Sequence, residues 1–147
     1  MTTRAEIVAV ARSYIGTPHH HMGRLPGVGI DCAGVLICAG RETGLVAADF
    51  DVPAYVPQPD GHSLLDWCRE HLGPAVAQAD MRPGDAIVLR AGPRPQHLAL
   101  LGDYRHGGLS IIHACADSHP PRVIETRLMF SRVLRFVAAF RMPGVED

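Results

Sequence analysis

The sequence predicts an α+β domain. Helical spacing of apolar residues is confined to the first half of the chain, and strand-like runs separated by short turns fill the second half. Fifteen glycines and twelve prolines among 147 residues favour a loop-rich chain over a helical bundle. The length suits one domain spanning 1–147, with no internal repeat, low-complexity tract or linker.

Thr3 can cap a helix with Glu6 as its capping-box partner, and Ile7, Val8, Val10, Ala11 and Tyr14 follow at helical spacing up to Gly16-Thr17-Pro18. Residues 17–30 read as a loop rich in His and Gly. A second helix opens after Asp31 and runs to Glu42 or Thr43, with Gly44 as the residue that ends it. It is apolar on nearly every side, so it is expected to be the buried central helix. Three prolines make 46–60 an irregular connection. Ser63 to Leu72 is amphipathic and helical, closed by Gly73-Pro74. Arg82-Pro83-Gly84-Asp85 is a tight turn, and Ala86 to Arg90 a strand. Gly92-Pro93-Arg94-Pro95 breaks the chain before a strand that carries His97. A hairpin loop, Gly102 to Gly108, leads into Leu109 to Ala114, and Arg122–Arg127 and Val133–Arg141 are further strands. Helices followed by an antiparallel meander give a five- to six-stranded sheet with the central helix packed on it.

A net charge of −1 gives no electrostatic reason to expect nucleic acid as a partner, and the C-terminal arginines lack interleaved aromatics. No stretch approaches a membrane span, and the N-terminus has neither the basic nor the apolar region of a signal peptide; synthesis in the cytoplasm is expected. Cys32, Cys38, Cys68 and Cys115 match neither a dense disulfide framework nor a CxxC zinc pattern, so all four are expected to be free. His19-His20-His21 is not expected to hold a metal, because adjacent side chains point in different directions. No cofactor is expected.

The chemistry centres on Asp31-Cys32-Ala33-Gly34, where a glycine-rich loop becomes a helix. A cysteine there meets unpaired N–H groups and the positive end of the helix dipole, which favour the nucleophilic thiolate. Cys32 is therefore the candidate nucleophile, and is expected to alkylate faster than the other cysteines. The competing reading is one more buried cysteine. His97 is the candidate general base, or else a solvated strand-end residue. His113, on the following strand, is the candidate orienter of His97, with Asp117 and His119 as polar alternatives. Asp31 recognises substrate or caps the helix, and the two are compatible. The His19–His21 loop leads directly to Cys32 and can line the same cleft. Cysteine, base and orienting group together follow the logic of a papain-like hydrolase.

These residues resemble the NlpC-type cysteine peptidases of bacterial cell walls, over almost the whole chain: Ile15-Gly16-Thr17-Pro18, Gly29-Ile30-Asp31-Cys32-Ala33-Gly34, Pro83-Gly84-Asp85-Ala86-Ile87-Val88, Gln96-His97-Leu98-Ala99-Leu100 and Ile112-His113-Ala114. The resemblance implies a papain-like fold with Cys32 as nucleophile, His97 as base and His113 as the third polar residue. It also implies peptidoglycan stem peptides as substrate, cut next to γ-D-glutamate, and substrate contacts from Asp31, His19, His21 and Ala33. Gly23-Arg24-Leu25-Pro26-Gly27-Val28-Gly29 resembles the loop of short members encoded with phage tails and gene transfer agents. That implies phage-like tail proteins as partners and delivery to the wall by a tail particle. The family commonly has tyrosine where this chain has His19, and serine where it has Ala33. Of the serine and aspartate that hold a free amino end in some members, only Asp31 remains. Two other readings are a weakly active or inactive structural part of a tail tip, and a thioester-forming acyltransferase.

Overall fold

The computed structural model describes residues 1–57 and 60–147. Thr3 and Glu6 form the expected capping box, with the Glu6 N–H donating to Thr3 Oγ1 at 3.2 Å and the Thr3 N–H to Glu6 Oε2 at 2.9 Å. Helix α1 (Arg4–Arg12) buries Ile7, Val8 and Ala11. It stops before the expected Gly16, and the chain turns through Ser13–Gly16. Tyr14 stays buried there because its hydroxyl finds a partner, Glu42, at 2.6 Å. Strands β1 (Arg24–Leu25) and β2 (Gly29–Ile30) form a miniature hairpin inside the expected loop. They are too short to show any alternation in sequence.

Helix α2 (Cys32–Thr43) is the central helix, with Ala33 through Gly40 all buried and Gly44 closing it at φ 78°. Gly34 is required by close approach: a Cβ there would lie 2.6 Å from the Gly23 carbonyl oxygen and 2.9 Å from Ile30. The connection after α2 carries no helix or strand among its described residues, and the expected irregular stretch at Gln58-Pro59 lies outside them. Helix α3 (Ser63–His71) buries Leu64 and Cys68. Asp60 opens it, accepting the Ser63 N–H at 2.8 Å and the Ser63 hydroxyl.

Six strands build one antiparallel sheet: β3 (Ala75–Val76), β4 (Ala86–Ala91), β5 (Arg94–Asp103), β6 (Leu109–Cys115), β7 (Arg122–Arg127) and β8 (Leu134–Phe140), in the order β3-β8-β4-β5-β6-β7. The meander β4 to β7 is as expected, while β8 returns to the far side of β4 and β3 extends that edge. Strand β5 starts earlier than the sequence suggests, because the turn needs only Gly92-Pro93 between paired Ala91 and Arg94. Leu89 pairs with His97, so two steps on β4 face three on β5. This bulge resets the alternation and brings Arg94 to the same side as His97.

The main core lies between the helices and one sheet face, where Val35, Leu98, Leu100 and Ile112 meet. A smaller cluster of Ile87, Leu89, Ala99, Leu101 and Ile111 fills the opposite face. One buried ion pair joins α1 to the sheet: Arg4 Nη1 lies 2.6 Å from Asp85 Oδ1, and Asp85 also accepts the Arg82 N–H at 2.9 Å. Asp85, read from sequence as a turn residue, is fully buried. No helix among the described residues is long and apolar enough to cross a membrane.

Removing Asp85 takes from Arg4 its buried carboxylate and leaves it the half-exposed Asp147 at 2.9 Å and the Pro83 carbonyl at 3.2 Å, so Asp85→Ala is expected to cost ~2–3 kcal/mol, below the full penalty of an uncompensated buried charge. Chemical denaturation against the parent measures this. A loss below ~1 kcal/mol would mean that Arg4 escapes to solvent.

Candidate active site

The sequence brings together one helix N-terminus, two strand positions and one irregular wall around a cavity of about 540 Å³. Cys32 opens α2, His97 sits near the head of β5, and His113 is on β6. All three line this cavity, together with Asp31, His19 and His21. Tyr55, Leu64 and Trp67 form much of its apolar far side. Gln96, buried beside His97, holds that side in place: its amide donates to the Gly61 carbonyl at 3.0 Å and its oxygen accepts the Leu65 N–H at 3.2 Å.

His97 and His113 are both buried, and His97 Nε2 lies 2.8 Å from His113 Nδ1. This hydrogen bond occupies the far nitrogen of His97 and leaves Nδ1 as the atom able to exchange a proton with a neighbour. If His97 donates, His113 accepts at Nδ1 and carries its own hydrogen on Nε2, a buried atom without a partner among the described residues. The alternatives Asp117 and His119 are not bonded to His97; Asp117 is exposed and faces Arg94 at 3.4 Å.

Burial works against the expected thiolate. Burial, then the Asp31 carboxylate, pushes the Cys32 thiol up to about 11, against N–H donation to the sulfur from Leu98 and Ala33. Burial, aided by His113, Arg94 and His19, pushes His97 down to about 3, and burial pushes His113 down to about 4. Desolvation of the thiolate outweighs the helix-dipole attraction on which the sequence expectation rested. Each of these shifts favours the uncharged form of its group. Cys32 is half-buried, Cys38 and Cys68 are buried, and all four cysteines are free.

Asp31 is consumed by structure. Its Oδ1 accepts the Gly34 N–H at 2.9 Å, as the cap of α2, and Arg24 Nη1 at 2.8 Å. Its Oδ2 accepts the Met22 N–H at 2.8 Å and the Tyr55 hydroxyl. Arg24 Nη2 in turn donates to the Tyr55 oxygen at 3.0 Å. A carboxylate offers about four acceptor sites, and all are taken. His21 Nε2 donates to the Tyr55 carbonyl at 2.9 Å, so it holds this wall rather than reaching into the cavity. His19 is half-buried beside it, its basicity lowered mainly by burial. Ala33 does not line the cavity; it faces an adjoining apolar hollow of about 50 Å³ under α3. No group of three potential ligands suits a metal ion among the described residues. Tyr55, Arg24 and Gln96 were missed as site-building residues, because their roles arise from contacts distant in sequence.

No family model matches the chain, and no curated protein matches it. Solved structures do. The NlpC/p60 domain of the peptidoglycan hydrolase SagA is 22% identical with a TM-score of 0.60, over 96% of this chain and 100% of that one. NlpC2 from Trichomonas vaginalis is 18% identical with a TM-score of 0.64, over 97% of this chain and 47% of that one. This chain thus spans about half the length of the second. The fold is the α+β, papain-like fold of NlpC/p60 domains.

Both imidazoles are less basic folded than the ordinary 6.5, so below pH 6.5 the unfolded chain binds more protons. The stability they contribute is complete above about pH 6.5 and is lost as pH falls toward 4 and 3. The melting temperature is expected to fall across that window, and less steeply in a His97→Gln, His113→Gln double variant. Equal slopes would contradict the burial of neutral imidazoles.

Proposed function

We propose that the protein is a cysteine peptidase that hydrolyses amide bonds in peptidoglycan stem peptides. The observation that carries this reading is one cavity shared by a helix-borne cysteine and a hydrogen-bonded histidine pair at 2.8 Å. The fold shared with a domain of a peptidoglycan hydrolase supports the substrate class.

Cys32 attacks the amide carbonyl carbon while its proton passes to Nδ1 of His97. Because both groups rest neutral, proton transfer accompanies attack rather than preceding it. The imidazolium formed keeps its Nε2–H on His113 Nδ1, which fixes ring and tautomer. Negative charge develops on the carbonyl oxygen near the N-terminus of α2, where the Cys32 N–H is the donor. His19, which lines the same cavity, supplies a second. The carbon–nitrogen bond breaks as His97 returns the proton to the leaving amine. Water then attacks the thioester, its proton goes to His97, and the Cys32 thiol is released with a carboxyl product. The bond cut lies next to γ-D-glutamate, a preference supported by the motif set around Cys32, His97 and His113. The loop Gly23–Gly29 supports delivery to the wall by a phage-like tail particle, after synthesis in the cytoplasm.

Incubation with purified stem peptides is expected to give two fragments by mass spectrometry. Cleavage should vanish in Cys32→Ala and fall by about 10²-fold or more in His97→Ala. Since the Asp31 carboxylate has no free acceptor site, stems with free and acylated amino ends should be cut at similar rates. A strict need for a free amine would show that substrate displaces Tyr55 from Asp31. With thiol and imidazole both neutral between about 3 and 11, kcat/KM should stay flat from about pH 5 to 8. A bell with both limbs inside that range would show a preformed thiolate–imidazolium pair. No cleavage of any stem by folded protein would favour the structural tail component.

A further inference from the structure

Among the described residues the cavity lining holds three carboxylates and one fixed cation, and only that cation, Arg94, and its exposed partner Asp117 are underused. Asp31 is saturated by Arg24, Tyr55 and two backbone N–H groups. Asp60 caps α3. Arg94 is the only lysine or arginine among the described residues lining the cavity. Its guanidinium, with five donors, has a single protein hydrogen bond among the described residues, to Asp117 at 3.4 Å. That distance is long for a charged pair, and the Asp117 side chain is 78% exposed. The bulge in β5 turns Arg94 to the side of His97, three residues away, a span of about 10 Å along a strand. Its charge reaches the site, being among the causes that lower the basicity of His97 and His19.

We propose that Arg94 is a specificity-determining residue that binds a free carboxylate of the substrate, with Asp117 as the resting counter-ion that this carboxylate displaces. The inference rests on the peptidase reading and names the substrate feature selected. A γ-linked glutamyl residue suits the site, because its α-carboxylate stays free and only a short methylene spacer separates it from the scissile carbonyl. Reaching from the β5 head along the cavity wall, Arg94 would hold that carboxylate while the carbonyl faces Cys32. Amidation of the carboxylate removes the charge and one acceptor, and a planar fork pairs with a carboxylate far better than with a carboxamide.

Binding and hydrolysis separate the two ideas. Two γ-glutamyl stem peptides, one with a free α-carboxylate and one with a carboxamide, are titrated into Cys32→Ala protein by calorimetry. The carboxylate peptide should bind about tenfold more tightly. In Cys32→Ala, Arg94→Gln the ratio should collapse to about twofold or less, and Arg94→Lys should restore part of it. Asp117→Ala should tighten the carboxylate peptide alone. Melting curves confirm that each variant is folded. Equal binding of the two peptides, binding of neither, or a ratio that survives Arg94→Gln would each overturn the role of Arg94. Tight, Arg94-dependent binding with no cleavage by wild-type protein would support the carboxylate site and overturn the peptidase reading instead.

Discussion

The carboxylate of Asp31 is the interaction on which the site depends. It caps the central helix, restrains the incoming loop through the Met22 N–H, and ties down Arg24 and Tyr55. Three separate pieces of chain, the glycine-rich loop, α2 and the connection to α3, are thereby fixed against one group directly beside Cys32. Met22 is the one non-glycine residue at positive φ among the described residues, at 57°. A left-handed residue of that kind costs about 1–3 kcal/mol and persists only where the surroundings enforce it. The bond from its N–H to Asp31 is that enforcement. A buried carboxylate is tolerable here because a guanidinium, a phenol and two amides all donate to it.

Burial sets the charge state of the site more strongly than the helix dipole does. The dipole is equivalent to about half a charge near the first turn, whereas enclosing a thiolate or an imidazolium removes most of its hydration. In the proposed reaction the pair becomes charged only as a substrate oxygen takes up the compensating negative charge. Arg94 works in the same direction, since its positive charge disfavours a protonated His97.

Most of the architecture was legible because its signals are local. The Thr3–Glu6 capping box, the all-round apolar character of α2 and the Gly44 stop each reside in a few adjacent residues, as do the hairpin turns of β4 to β7. What escaped depends on partners far along the chain. Asp85 looks like a turn residue until Arg4 arrives from the N-terminus. Pro95 looks like a breaker until Ala91 and Arg94 are seen to pair around a two-residue turn. Within the site, Cys32, His97 and His113 were legible through residue type and order. The opposing wall was not, since Tyr55 and Gln96 act through hydrogen bonds spanning 24 to 35 positions. Asp31, for which capping is the safer reading in sequence and compatible with recognition, does cap α2, with four donors on its oxygens.

Cys32, His97 and His113 stand on α2, β5 and β6, whereas much of the opposite wall comes from the connection between α2 and α3 and from the first turns of α3. The residues of the proposed chemistry and much of the apolar wall opposite them thus come from different parts of the polypeptide. Insertions or exchanges at Ala54, Val56 or Pro57 would remodel the cavity without moving a reacting atom, provided Tyr55 keeps its anchor. That wall can be varied separately from α2, β5 and β6, while Arg94 stays with His97 on β5. Under the proposed peptidase reading, that wall is the place to begin directed evolution toward new peptide substrates.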